Sequence, residues 1–171
     1  TGDNVFESTD GAEKWTPAKS GLGHTEVTSL AVDPANPRRL YARDDFYFHW
    51  STDGGITWTQ SKADLDVSGT TNGLFALTAD PATPDTVFTS VYRQLWKSGD
   101  GGATFAKSGS GLPLARVEVI LADTGSKALY AGTEGEGVYK STDGGASWMA
   151  SRTGLGSVNV QALLLDAAAG V

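Results

Sequence analysis

Apolar residues in this chain come in short runs and alternations, and the three-to-four spacing of a helix is absent. One set of runs is rich in Val, Leu and Ala: Val27 to Val32, then 74–79, 117–122 and 158–165. Each predicts a strand. The first is followed by Asp-Pro-Ala-Asn-Pro at 33–37, a turn whose prolines should end the ladder. Shorter strands are expected at Leu40-Tyr41-Ala42, Val87-Phe88-Thr89 and Leu129-Tyr130-Ala131. Alternating pairs such as Val5/Glu7, Leu95/Lys97 and Val138/Lys140 predict a third kind of strand, and a fourth should start at Trp15, Trp58, Phe105 and Trp148. The alanines at 167–169 are too few to nucleate a helix.

These strands recur in register. Ser-Thr-Asp-Gly-Ala-Glu-Lys-Trp at 8–15 returns in related form at 51–58, 98–105 and 141–148, with 43, 47 and 43 residues between the leading serines. Seven residues after each motif aromatic stands Leu22, Leu65, Leu112 or Leu155, and each apolar run ends at Asp33, Asp80, Asp123 or Asp166. The longer interval places an inserted loop at 66–73. Four short strands in about 43 residues, repeated head to tail, predict an all-β fold: a β-propeller of four-stranded antiparallel blades. The repeats run over 27–60, 73–107 and 117–150, with 158–171 and 1–17 forming the remaining blade of a single domain. Register aligns Val171 with Ala128 and Thr1 with Glu134, leaving no counterpart of the second strand Leu129–Thr133. A piece of a larger propeller of roughly six to eight blades is therefore expected, or a homo-oligomer that covers the open blade edges. The alternative is a closed four-bladed ring.

Composition narrows the functional classes. The chain of 171 residues has 22 glycines, no cysteine and a net charge of -7. Disulfides and thiolate metal sites are excluded, and two histidines, His24 and His49, do not make a metal centre. No cofactor is implied. The acidic balance and scattered arginines argue against nucleic acid, and no run is long enough for membrane insertion.

The repeated turn resembles the Asp-box, or BNR repeat, of sialidases and other propellers. The match is carried by Ser51, Asp53, Gly55, Thr57 and Trp58; by Ser98, Asp100, Gly102, Thr104 and Phe105; and by Ser141, Asp143, Gly145, Ser147 and Trp148. Ser8, Asp10 and Trp15 keep the pattern in the first copy, whereas Ala12 and Lys14 depart from it. Carboxylate, hydroxyl and glycine at this spacing suit a tight hairpin, with the aromatic covering its apolar side. The spacing of a calcium loop and the lysine of a phosphate cradle are both missing. The resemblance implies a structural element on the face away from any catalytic centre.

Function is therefore expected on the opposite face, in the loops joining strands two and three and in those joining strand four to the next strand one. The two-to-three segments are 43–47, 90–94, 133–137 and 1–4, and they differ from one another. Ligand-binding candidates are Arg43, Tyr47, Tyr92, Arg93, Arg116, Glu134 and Glu136, with Glu26, Glu118 and Asn159 on the same surface. Asp44 and Asp45, beside the aromatic run Phe46 to Trp50, are candidate acids for a carbohydrate site. The competing reading has this segment as a blade edge with packed aromatics and solvated aspartates, and both histidines as structural or surface residues. Arg43, Arg93 and Arg116 do not match the arginine triad of sialidases. The Asp-Pro-Ala-Asn-Pro-Arg-Arg-Leu-Tyr-Ala stretch is similar to repeats of xyloglucanase-type glycoside hydrolases, sortilin-type receptors and photosystem II assembly factors. With no assignable catalytic set, the expectation is a non-catalytic binding or scaffold propeller for a protein or carbohydrate partner. A segment of a secreted glycoside hydrolase, xyloglucanase-like or sialidase-like, is the alternative. The resemblance implies an extracytoplasmic or secreted location.

Overall fold

The computed structural model describes residues 5–17, 21–22, 27–44, 47–63, 65, 74–155 and 158–166. His24, Glu26, Asp45, Phe46, the inserted loop 66–73 and the segments 1–4 and 167–169 lie outside the described residues. Among the described residues there are fourteen strands and no helix.

A leading hairpin pairs β1 (Phe6–Glu7) with β2 (Thr16–Pro17). Three antiparallel four-stranded sheets follow in simple meander order. The first blade is β3 (Ser29–Asp33), β4 (Asn36–Arg43), β5 (Phe48–Ser51) and β6 (Thr59–Gln60). The second is β7 (Leu74–Ala79), β8 (Val87–Val91), β9 (Gln94–Ser98) and β10 (Ala106–Ser108). The third is β11 (Val117–Ala122), β12 (Leu129–Thr133), β13 (Gly137–Ser141) and β14 (Met149–Ala150). Each blade leaves two faces to cover, and β7 packs against both β3 and β11, so the blades stack in chain order with their first strands adjacent. This is β-propeller architecture.

Two hydrophobic cores lie between the blades. Tyr41, Phe48, Leu65, Val87 and Trp96 fill the first-to-second interface; Phe88, Leu95, Val117, Leu129 and Trp148 fill the second-to-third. Burying each large apolar side chain stabilises the fold by roughly 1.5–3 kcal/mol. Glycine is required where these cores meet the repeated turn. A Cβ on Gly102 would stand 2.3 Å from the Phe48 ring, and one on Gly145 would stand 2.6 Å from Phe88, so each aromatic wedges under the next blade's turn. Polar contacts reinforce the stacking: Arg39 pairs with Asp85 at 2.8 Å, and Lys97 Nζ donates to Gly144 O at 2.8 Å. Between the leading hairpin and the first blade there is instead a cavity of about 340 Å³, lined by Val5, Phe6, Leu30, Val32, Leu40 and Trp58 among others.

The repeated turn is one hydrogen-bonded motif. Ser51 Oγ donates to Asp53 Oδ1 (2.8 Å) and accepts from Gly55 N (2.9 Å). The same carboxylate accepts from Thr57 N (2.9 Å) and Thr57 Oγ1 (2.6 Å). Ser98, Asp100, Gly102 and Thr104 repeat the set, as do Ser141, Asp143, Gly145 and Ser147. Trp58 and Trp148 close it from below, their Nε1 groups donating to Gly55 O and Gly145 O at 3.0 and 3.1 Å. Phe105 lacks that donor and packs edge-on against Phe48, with 4.8 Å between centroids. Hydroxyl donation from Thr57 and Ser147, followed by donation from their backbone N–H groups, holds Asp53 and Asp143 down at about 2. In the leading hairpin, Ser8 and Asp10 make the same bonds to each other and to Ala12 N and Lys14 N, but Lys14 has no hydroxyl to give. Ala12 there occupies a left-handed conformation (φ 73°) where the later copies have glycine, and Trp15 is more than half exposed.

Three sequence expectations need correction. The prolines do not keep the second strand short: β4 begins at Asn36, and Pro37 is tolerated within it beside the register shift between Val32 and Asp33. In the three blades the fourth strand begins one residue after the motif aromatic, whose side chain is committed to the hairpin at Trp58 and Trp148 and to Phe48 at Phe105. Finally, 158–166 forms no strand. A first strand is held by a second strand, and none is beside it among the described residues. It is tied to the third blade by Val160 N donating to Thr133 O (3.0 Å) and Gly137 N donating to Val158 O (2.6 Å). The expected union of 158–171 with 1–17 involves 1–4 and 167–171, which lie outside the described residues.

Candidate functional site on the loop face

The two-to-three loops lie at the opposite end of each third strand from the repeated turn, and each of the three blades resolves this loop differently.

In the first blade the loop is closed by its own carboxylate. Asp44 N donates to Tyr47 O (3.1 Å), and Tyr47 N donates to Asp44 Oδ1 (2.7 Å). The other oxygen, Oδ2, lies 3.1 Å from His49 Nε2. Asp44 is only 1% exposed and His49 3%, so the aspartate is not the solvated edge residue of the competing expectation. A carboxylate taken from water is tolerable only when paired and hydrogen-bonded, and here it has both. Facing Asp44, Nε2 is the donor in the neutral imidazole, which leaves Nδ1 as a buried acceptor without a partner among the described residues. Tyr47 is half exposed and meets His49 edge-on at 6.4 Å, while Arg43 is buried in β4.

The second blade turns in two residues, Tyr92 and Arg93, between the paired Val91 and Gln94. Tyr92 has φ 53°, a conformation that glycine normally supplies in such a hairpin. The Arg93 guanidinium sits 5.3 Å from the centre of the Tyr92 ring, and Lys107 Nζ sits 5.5 Å from that of Trp96. These four residues, with Leu65, Val91, Gln94 and Leu114, line a cavity of about 220 Å³. The Gln94 amide is spent as a strut, donating to Leu95 O and Ser108 O at 2.8 Å each.

In the third blade the charges satisfy one another. Arg116 lies between Glu134 (3.6 Å) and Glu118 (3.8 Å), and Arg152 holds Glu136 at 3.2 Å. Partly exposed pairs of this kind contribute about 0–1 kcal/mol each.

The structure thus brings together Tyr92 with Arg93 and Arg116 with Glu134; of Arg43, Arg93 and Arg116, only Arg93 lines the 220 Å³ cavity. The sequence reading missed Trp96, Lys107, Leu65 and Leu114 as neighbours of that turn, and Arg152 as the partner of Glu136. A signal was available. Two residues before the motif serine stand His49, Trp96 and Tyr139, and two residues after the motif aromatic stand Gln60, Lys107 and Ala150, so the second blade alone combines an indole with a cation. Among the described residues no group of three or more His, Asp or Glu side chains could hold a metal ion.

No family model matches the chain. It is 29% identical over 119 residues to the xyloglucanase of Hypocrea jecorina (strain QM6a), an alignment covering 57% of this chain and 14% of that protein. The solved GH74 enzyme of Niastella koreensis superposes with a TM-score of 0.66 at 26% identity, over 80% of this chain and 25% of that one. YCF48 bound to a D1 peptide superposes with a TM-score of 0.61 at 17% identity, over 84% of this chain and 46% of that one. The chain therefore spans less than half the length of each of these relatives, and what it shares with them is the β-propeller fold.

Proposed function

We propose that this chain is part of a non-catalytic binding or scaffold propeller, located outside the cytoplasm, that recognises a protein or glycan partner on its loop face. Its repeated turn is read as a structural Asp-box. The observation that carries this reading is Asp44: buried, with one carboxylate oxygen closing its own loop and the other on His49, it is a structural group rather than an acid presented to substrate. Most glycoside hydrolases use two carboxyl groups roughly 5–10 Å apart across the scissile bond. Neither the 340 Å³ cavity nor the 220 Å³ cavity is lined by two carboxylates.

The similarity to a xyloglucanase favours a second reading, a segment of a glycoside hydrolase. Turnover assays on xyloglucan and sialosides, run beside glycan-array and protein-partner binding, separate the two. Binding without turnover is the expected result. Hydrolysis abolished by Asp44→Ala or Asp45→Ala would overturn the binding reading.

A further inference from the structure

We infer that the 220 Å³ cavity of the second blade is a receptor for an acidic peptide segment, taking an Asp or Glu side-chain carboxylate with an adjacent apolar side chain. The inference deepens the binding reading above and rests on it. Three observations carry it. The first is charge: on a chain of net charge -7, Arg93 and Lys107 line one cavity, and neither forms an ion pair among the described residues. The second is a donor without an acceptor. Trp96 lines the cavity and is buried, yet its Nε1–H has no partner among the described residues. An unmet buried donor is costly, and a carboxylate oxygen would satisfy it once the ring turns that edge toward the cavity. Arg93, Lys107 and the indole only donate, so together they select an anion.

The third observation separates peptide from sugar. A pyranose stacks on an open aromatic face, but the Tyr92 ring carries Arg93 and the Trp96 ring carries Lys107. The remaining wall is aliphatic: Leu65 and Val91 are buried, and Leu114 stands at the rim 86% exposed. An aliphatic wall beside a cationic rim matches an acidic residue next to a Leu or Val. The strained Tyr92 turn adds weight, since a side chain held at φ 53° where glycine is easier is there for its ring.

The test titrates fluorescein-labelled acetyl-Gly-Asp-Leu-Gly-amide, in which only the side chain carries a carboxylate, into the whole chain at low salt. Binding is expected, weakening as salt is added and lost when the peptide Asp is replaced by Asn. Arg93→Gln and Lys107→Gln should each weaken it roughly fivefold. Tyr92→Gly should weaken it while leaving the unfolding midpoint unchanged or raised, because it removes the ring and relieves the turn. Asp64 and Asp66 flank Leu65 in the sequence and lie outside the described residues; replacing both with Asn should leave affinity equal or higher, and a loss there would overturn the assignment. Equal binding of the Asn peptide, or binding of oligogalacturonate in place of the Asp peptide, would also overturn it. Failure of the peptide to bind while xyloglucan is not hydrolysed defeats only this assignment. Hydrolysis dependent on Asp44 or Asp45 defeats the binding reading itself.

Discussion

The two ends of the third strands have opposite characters. At one end, three blades close the same Ser-x-Asp-x-Gly turn with hydrogen bonds that agree within about 0.1 Å, above an aromatic or indole plug. At the other end, the same three blades carry a buried Asp44–His49 pair, an open cationic cavity and a set of mutually satisfied ion pairs. Repetition at one face and divergence at the other divide the labour: the turn holds adjacent blades together, and the loops are where chemistry differs.

The largest expected contrast is between glycines of the two faces. Gly102→Ala or Gly145→Ala drives a methyl into Phe48 or Phe88 from a left-handed backbone, and should cost about 2–4 kcal/mol in urea unfolding. Gly135→Ala on the loop face shares the backbone conformation but meets open space, so only the backbone cost of about 1 kcal/mol is expected. If the two faces respond equally, the wedge account is wrong.

Acid should act on the turn face. Asp53 and Asp143 have folded-state values near 2, below the roughly 3.9 of an unfolded aspartate. Their stabilisation is therefore complete above about pH 4 and is lost as pH falls toward 2. Unfolding midpoints measured across that window should fall for the parent chain, and less steeply for Asp53→Asn. A smaller effect with the opposite sign is expected from Ala12→Gly, which restores the residue used in the other copies at a positive φ. It should raise stability by up to about 1 kcal/mol. Smallest of all, Glu134→Gln and Glu136→Gln should change stability by less than about 0.5 kcal/mol, since their ion pairs are half exposed.

How much of this was legible in the sequence follows the same division. The repeated turn could be read because it is local: serine, aspartate, glycine and threonine within seven residues, with the tryptophan that follows, make its bonds, so spacing alone specifies the geometry. The three blades were legible for the same reason. The open end of the repeat was not, because whether 158–165 is a strand depends on a partner strand rather than on its own apolar run. On the loop face, Tyr92 and Arg93 were visible as neighbours in sequence. Leu65 reaches their cavity from the preceding blade's connection and Leu114 from the connection that follows, contacts that local pattern does not encode. Asp44 looked solvated because a charged pair at a strand end usually is; its burial depends on His49 arriving from β5 across the hairpin.

The second blade carries both characters, and so offers the most direct test. Asp100→Asn on its turn and Arg93→Gln on its loop are to be compared by calorimetric titration with the blocked Asp-Leu peptide, at a temperature where both variants are folded. The account predicts that Asp100→Asn, though it lowers the unfolding midpoint, leaves the dissociation constant within about twofold, whereas Arg93→Gln weakens it roughly fivefold at unchanged stability. Equal loss of binding in the two folded variants would contradict the separation of framework from function.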